Sequence, residues 1–201
     1  MTHRMHRPLH RRFALAVALL AFTAVIGAQT PTTPTPAAPT QSAPMPAALT
    51  PAWKSYSYPA DGFSASFPSE PELQKRDVPT DAGTFELRSY IGTDGAVAMF
   101  IGVCDYGAQA AGKDPDTLLQ GAKNGALTNS KSHLLSEKKM TLGIYHGLTF
   151  EAESDTAHFS ARVYMVGTTL YQTLVVYPLG KPYADTTRFL DSFQLIARVA
   201  K

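Results

Sequence analysis

Three carboxylates at alternate positions, Glu151, Glu153 and Asp155, are where chemistry is first sought. An extended chain turns successive side chains to opposite faces, so a strand here presents all three together. Clustered carboxylate oxygens are the ligands a hard divalent cation takes. The same spacing also describes the solvated face of a strand whose other side carries Phe150 and Ala152, and that plainer reading is adopted. Beyond residue 28 the chain has three histidines, His133, His146 and His158. None pairs at i, i+2 or i, i+4, and no His-Glu-x-x-His occurs, so a zinc site would have to be assembled from distant strands. Glu151, Glu153 and one of these histidines form the set for a metal-assisted hydrolase, which is kept as an alternative function.

Ser136 and Lys139 match the Ser-x-x-Lys spacing in which a lysine activates a serine on a helical turn. The segment reads as a strand, where residues three apart point to opposite faces, and the companion Ser-Asp-Asn and Lys-Thr-Gly signatures are missing. Cys104 is the sole cysteine and lies in an apolar run from residue 96, which marks a buried, inert thiol. No Gly-x-Ser-x-Gly, P-loop, Rossmann glycine fingerprint or Cys-x-x-Cys is found. The residues therefore assign no catalytic, cofactor-binding or metal site, and no cofactor is expected.

The elements that must hold these residues are mostly strands. Phe63, Ala65 and Phe67 alternate with Ser64 and Ser66 until Pro68 stops the run, and Phe85 and Leu87 alternate with Glu86 and Arg88 across 84–90. Residues 96–104 are almost wholly apolar, as in a central strand covered on both faces. A helix then starts at Asp114 as N-cap, with Pro115 in first place and Asp116 at the positive end of the dipole. Leu119, Ala122 and Ala126 line its inner face, while Gly121 and Gly125 leave its stability to packing. Strands resume over 134–142 and 148–153, and 161–166 and 169–177 form a hairpin turning at Gly167-Thr168. Gly180-Lys181-Pro182 opens a last helix anchored by Tyr183, Phe189, Leu190 and Phe193, and an extended tail covers 194–199. Trp53, Tyr56, Tyr58 and Tyr106, near element edges, are either a sticky patch or ordinary packing, the latter being the commoner fate. Runs of strands with segregated helices read as α+β.

The chain's ends set its compartment. Residues 1–28 read as a signal peptide: a basic start with Arg4, Arg7, Arg11 and Arg12, an apolar stretch too short for a standard spanning helix, and Ala28 before the cut. Gln29 in place of cysteine excludes a lipoprotein. Arg11-Arg12-Phe13 gives an incomplete twin-arginine pattern, so the general secretory route is preferred, with an uncleaved anchor as the remaining alternative. Residues 29–52 are a flexible linker rich in Pro, Thr and Ala, and 53–201 one globular domain. The expected location is periplasmic or extracellular, with no stable membrane insertion once the signal is removed. Fourteen basic against sixteen acidic side chains then remain, a formal −2. That balance offers no footprint for nucleic acid.

Four stretches in order carry a family likeness: Tyr58-Pro59-Ala60-Asp61-Gly62-Phe63-Ser64-Ala65-Ser66-Phe67-Pro68, Tyr145-His146-Gly147-Leu148-Thr149-Phe150-Glu151, Tyr164-Met165-Val166-Gly167 and Phe189-Leu190-Asp191-Ser192-Phe193. Across about residues 53–198 the chain resembles the PsbP-like superfamily, particularly its exported bacterial members of unknown function. The resemblance implies an α/β/α sandwich, a twisted antiparallel sheet flanked by helices. It implies non-catalytic accessory or binding roles, such as those of relatives in photosystem assembly, nuclear transport and bacterial envelopes. It carries over no functional residues and implies no photosynthetic role. The expectation is an exported, non-catalytic domain with a protein partner or small ligand in the cell envelope. A carrier of a small apolar ligand, held between sheet and helices, is a further alternative.

Overall fold

The described part of the chain is mainly strands, and the strands assemble into two sheets. The structure, a computed structural model, describes residues 52–80 and 83–199. The signal-peptide reading of 1–28 lies outside the described residues, as does the linker reading of 29–52 except for its last residue. The strands are β1 (Lys54–Tyr58), β2 (Phe63–Phe67), β3 (Glu72–Thr80), β4 (Gly83–Asp94), β5 (Val97–Asp105), β6 (His133–Leu142), β7 (Tyr145–Glu153), β8 (Ala157–Val166), β9 (Thr169–Pro178) and β10 (Gln194–Leu195). The helices are α1 (Pro115–Ser130) and α2 (Thr186–Asp191). A seven-stranded antiparallel sheet runs β3-β4-β5-β9-β8-β7-β6, and a three-stranded one runs β1-β2-β10.

β5 carries no polar side chain before Asp105 because it is covered twice. Phe100 and Cys104 face one layer, Met99, Ile101 and Val103 the other. The β8–β9 hairpin turns at Gly167, whose φ of +61° costs glycine nothing. α1 begins as its sequence dictates, with the Asp114 carboxylate accepting from the amides of Asp116 and Thr117, and it ends at Lys131 in the left-handed region.

The two faces of the large sheet are covered differently. Over β7 and β8 lies α1, with Leu119, Ala122 and Ala126 packed among Leu148, Phe150, Ala152, Ala161 and Val163. Against the opposite face, Tyr90, Ile101, Tyr164, Tyr171 and Val175 meet Phe63 and Phe67 of β2 and Phe189 and Phe193 around α2. The second covering layer is thus chiefly the small sheet, with a six-residue helix added. The sheet is antiparallel, as expected, but a full helix covers only one of its faces.

Several boundaries differ from the sequence reading. β3 is an edge strand whose buried apolar residue over 72–78 is Val78 alone, and so shows no periodicity to detect. The last helix starts at Thr186, not at Gly180-Lys181-Pro182. Tyr183 precedes it in a turn closed by the Thr186 hydroxyl on the Tyr183 carbonyl at 2.7 Å, and Phe193 follows it. In the tail only Gln194 and Leu195 pair as a strand, with Ser64 and Phe63. Of the four edge aromatics, Tyr106 is buried against Phe85. Tyr56 and Tyr58 are half-buried on the aromatic layer, and Trp53 lies under the Arg188 guanidinium at 4.6 Å.

Candidate functional site

Antiparallel register brings the acidic strand face against a histidine. β7 pairs with β8 so that Glu151 lies opposite Ser160 and Glu153 opposite His158. Phe150, Ala152 and Ala161 point toward α1, so these four polar residues share the other face. His158 sits between the two carboxylates, its Nδ1 at 3.0 Å from Glu153 Oε1 and its Nε2 at 2.8 Å from Glu151 Oε2. Ser160 donates its hydroxyl to the same Glu151 oxygen at 2.6 Å. The imidazole stacks on Tyr177, centroid to centroid 4.9 Å.

Carboxylates accept and do not donate, so both contacts are hydrogen bonds only while both ring nitrogens carry protons, that is, as the imidazolium. Burial works against that charge, but hydrogen bonds to Glu153 and Glu151, with the charges of both, outweigh it and raise the His158 pKa above the ordinary 6.5. Glu151 stands between Ser160 and His158, so the hydroxyl does not point at a ring nitrogen as a nucleophile's would. The carboxylates engage opposite nitrogens of one ring and do not converge. Among the described residues no group of three His, Cys, Asp or Glu side chains is placed to hold a metal ion. Glu151 and Glu153 thus lie on the partly solvated face expected for them, opposite buried Phe150 and Ala152, and are in addition tied to β8. Asp155 lies exposed in the turn after β7, off the strand face.

The other two histidines lie elsewhere. His133 is on edge strand β6, exposed. His146 places Nδ1 2.8 Å from Asp116 Oδ1 at the start of α1. Lys139 pairs with the same carboxylate. Lys139 and His146 together hold the Asp116 carboxyl below its usual range. An open groove of about 270 Å³ runs here, its polar lining including Asp116, Gln120 and Lys139 and its apolar lining Leu119 and Leu148. Ser136 is opposite Glu151 and Lys139 opposite Leu148, so the Ser-x-x-Lys pair does point to opposite faces. Cys104 is buried, and burial pushes its thiol up to about 12. Between α1 and the sheet, beside Gln172, lies a cavity of about 10 Å³, the space of one water molecule.

No protein-family model matches the chain, and no curated protein matches it. A solved structure does: the solution structure of cyanobacterial PsbP (CyanoP) from Synechocystis sp. PCC 6803. It superposes with a TM-score of 0.51 at 10% sequence identity, over 77% of this chain and 98% of that one. The fold is PsbP-like. At that identity the likeness speaks for the fold alone.

This PsbP-like domain has a second polar cluster that the sequence reading did not single out. Asp61 is buried between the sheets, where its carboxylate accepts from Arg88 Nε at 2.7 Å and from the Tyr90 hydroxyl. Tyr171 donates to the Asp61 carbonyl at 2.7 Å, and Arg198 donates to Tyr171 Oη at 3.1 Å and to Thr169 Oγ1 at 3.0 Å. Burial, then the hydrogen bond to Asp61, raises the Tyr90 pKa. The available signal was a charged residue preceding Gly62, whose φ is +74°. A β-carbon there would lie 2.7 Å from Arg198 Cγ. Its partners are 27 to 137 residues away in the chain, so nothing local announces the cluster.

Proposed function

We propose that this chain is an exported, non-catalytic binding or accessory domain of the bacterial envelope, engaging a protein or a small ligand. The observation that carries the reading is the state of the polar groups at the two candidate sites. Asp116, Lys139 and His146 hold one another at the groove, and Glu151, Glu153, Ser160 and His158 do so on the sheet face. Groups spent on neighbours in this way present a shaped, charged surface, whereas catalysis calls for a nucleophile within reach of a base. The signal-peptide reading supports export, and no described helix is long and apolar enough to cross a membrane. The layering is taken as an α/β/α sandwich whose second outer layer is thinned to α2 and filled out by the small sheet.

The test is photo-crosslinking in intact cells of the native host from position 120, on the groove wall. A single envelope component captured reproducibly, and lost when Lys139 and Asp116 are replaced together, is the expected result. Turnover of a substrate by the purified protein, abolished by Glu151→Gln or His158→Gln, would overturn the reading.

A further inference from the structure

Besides the turn bonds of Ser154 with Thr156 and Ala157, the β7–β8 hairpin end is held by a cation that can be withdrawn. His158 is the only group that the described hydrogen bonds place on Glu153, whereas Glu151 also accepts from Ser160. The two carboxylates are two residues apart on one strand, and the ring enters between them from the neighbouring strand. Other charged and titratable groups face the cluster from every side. β6 contributes His133, opposite Glu153, and Lys138, opposite Thr149; the turn contributes Asp155; β9 contributes Tyr177, under the ring. Arg162 of β8, opposite Thr149, is engaged by Asp191 of α2 at 2.7 Å. An arginine between two glutamates would be a permanent tie, since guanidinium does not lose its proton in proteins. A histidine gives a tie that exists only while the ring is doubly protonated.

We propose that His158 is a proton-dependent latch which fastens the Glu153 end of the β7–β8 hairpin while charged and frees it when the ring becomes neutral. A neutral imidazole keeps one N–H. Ser160 keeps Glu151 in place, so the remaining proton stays on Nε2 and the Nδ1 lone pair faces the Glu153 carboxylate. That contact is repulsive, and Glu153, about a third exposed, turns to water. The patch gains one negative charge and a free imidazole nitrogen in the same step. The raised His158 pKa accords with the direction. The stabilisation is fully present below the ordinary value of 6.5 and is lost as pH rises through the higher folded value.

The test uses the full chain and nuclear magnetic resonance of the His158 ring, with amide exchange along 151–160 followed over the same pH range. Both ring N–H protons are expected at pH 6.5, with a midpoint above 6.5. Across that midpoint, amide exchange at the hairpin end should accelerate at least tenfold beyond its intrinsic pH dependence. Glu153→Gln should lower the midpoint and remove the exchange step while leaving the fold intact, which keeps the test valid if His158→Gln does not fold. A midpoint at or below 6.5 overturns the proposal. So does a raised midpoint with no change in hairpin exchange, because His158 would then be a fixed ion pair with no latch action. Neither outcome bears on crosslinking from the groove, so the two proposals fail separately.

Discussion

The two faces of the large sheet solve the same problem with different materials. Under α1 the core is mixed, with Ala122 and Ala126 of the helix and Ala152 and Ala161 of the strands set among Leu119, Leu148 and Phe150. On the other face the contact is aromatic. Phe63 lies 5.0 Å from Tyr90 and 5.8 Å from Phe193, and Phe67 lies 5.1 Å from Phe189. A sixteen-residue helix offers a continuous ridge that settles onto small side chains. A short three-stranded sheet and a six-residue helix offer none, so large rings span the gap, and the Asp61 cluster ties the β1–β2 turn to β4. A thin covering layer is thus held by aromatic rings and buried hydrogen bonds, where a long helix packs through alanines interleaved with larger side chains.

Phe63→Ala should have the largest effect, because the ring is fully buried and touches four other aromatic residues. A loss of about 3–5 kcal/mol is expected in denaturant unfolding. A loss under about 1 kcal/mol would mean that the small sheet contributes little and that the two layers are not equivalent supports. The opposite change tests the other face. Ala122→Leu adds bulk at a fully buried position of the helix, and should cost about 1–3 kcal/mol by the same measurement. If it were neutral or stabilising, the α1 interface would be looser than its alanines imply.

The smallest effect is electrostatic and belongs to α1. Lys123 is buried on the helix and pairs with Glu137 of β6. The hydrogen bond from Lys123 holds the Glu137 carboxyl below its ordinary 4.5. Stability from this pair is present above 4.5 and lost as pH falls through the lower folded value. Glu137 is about a third exposed, so at neutral pH the pair is worth no more than about 1 kcal/mol. Lys123→Met should flatten the acid limb of a plot of melting temperature against pH. An unchanged acid limb would move the cause of acid sensitivity elsewhere, for example to Asp105. Partial desolvation raises that exposed carboxyl, but hydrogen bonds from the Gly107 amide and the Thr168 hydroxyl, helped by Arg198, outweigh it and hold it low.

Much of the fold was legible in the residues. The N-cap at Asp114, the turn at Gly167 and the alternation at 63–67 each express a rule that acts within a few residues, and each appears where the sequence places it. β3 and the true start of α2 were not legible. An exposed edge strand carries no apolar period, and a short helix is defined by the packing of Phe189 and Leu190 more than by its own propensity. Of the candidate site, the residues could be named but their grouping could not. That Glu151 and Glu153 share a face follows from the two-residue repeat of a strand, whereas which histidine joins them depends on register across the β7–β8 turn.

The sequence by itself determined the local elements, the excluded motifs and the likeness that the PsbP-like fold then bore out. Only the tertiary structure decided that His158, and not His133 or His146, lies between the two glutamates, and that Asp61 joins Arg88 and Tyr90. The physical reason is range. Backbone propensity, capping and side-chain alternation act over a handful of residues. Charge pairing depends on which strands become neighbours, and that follows from burying the whole apolar surface at once.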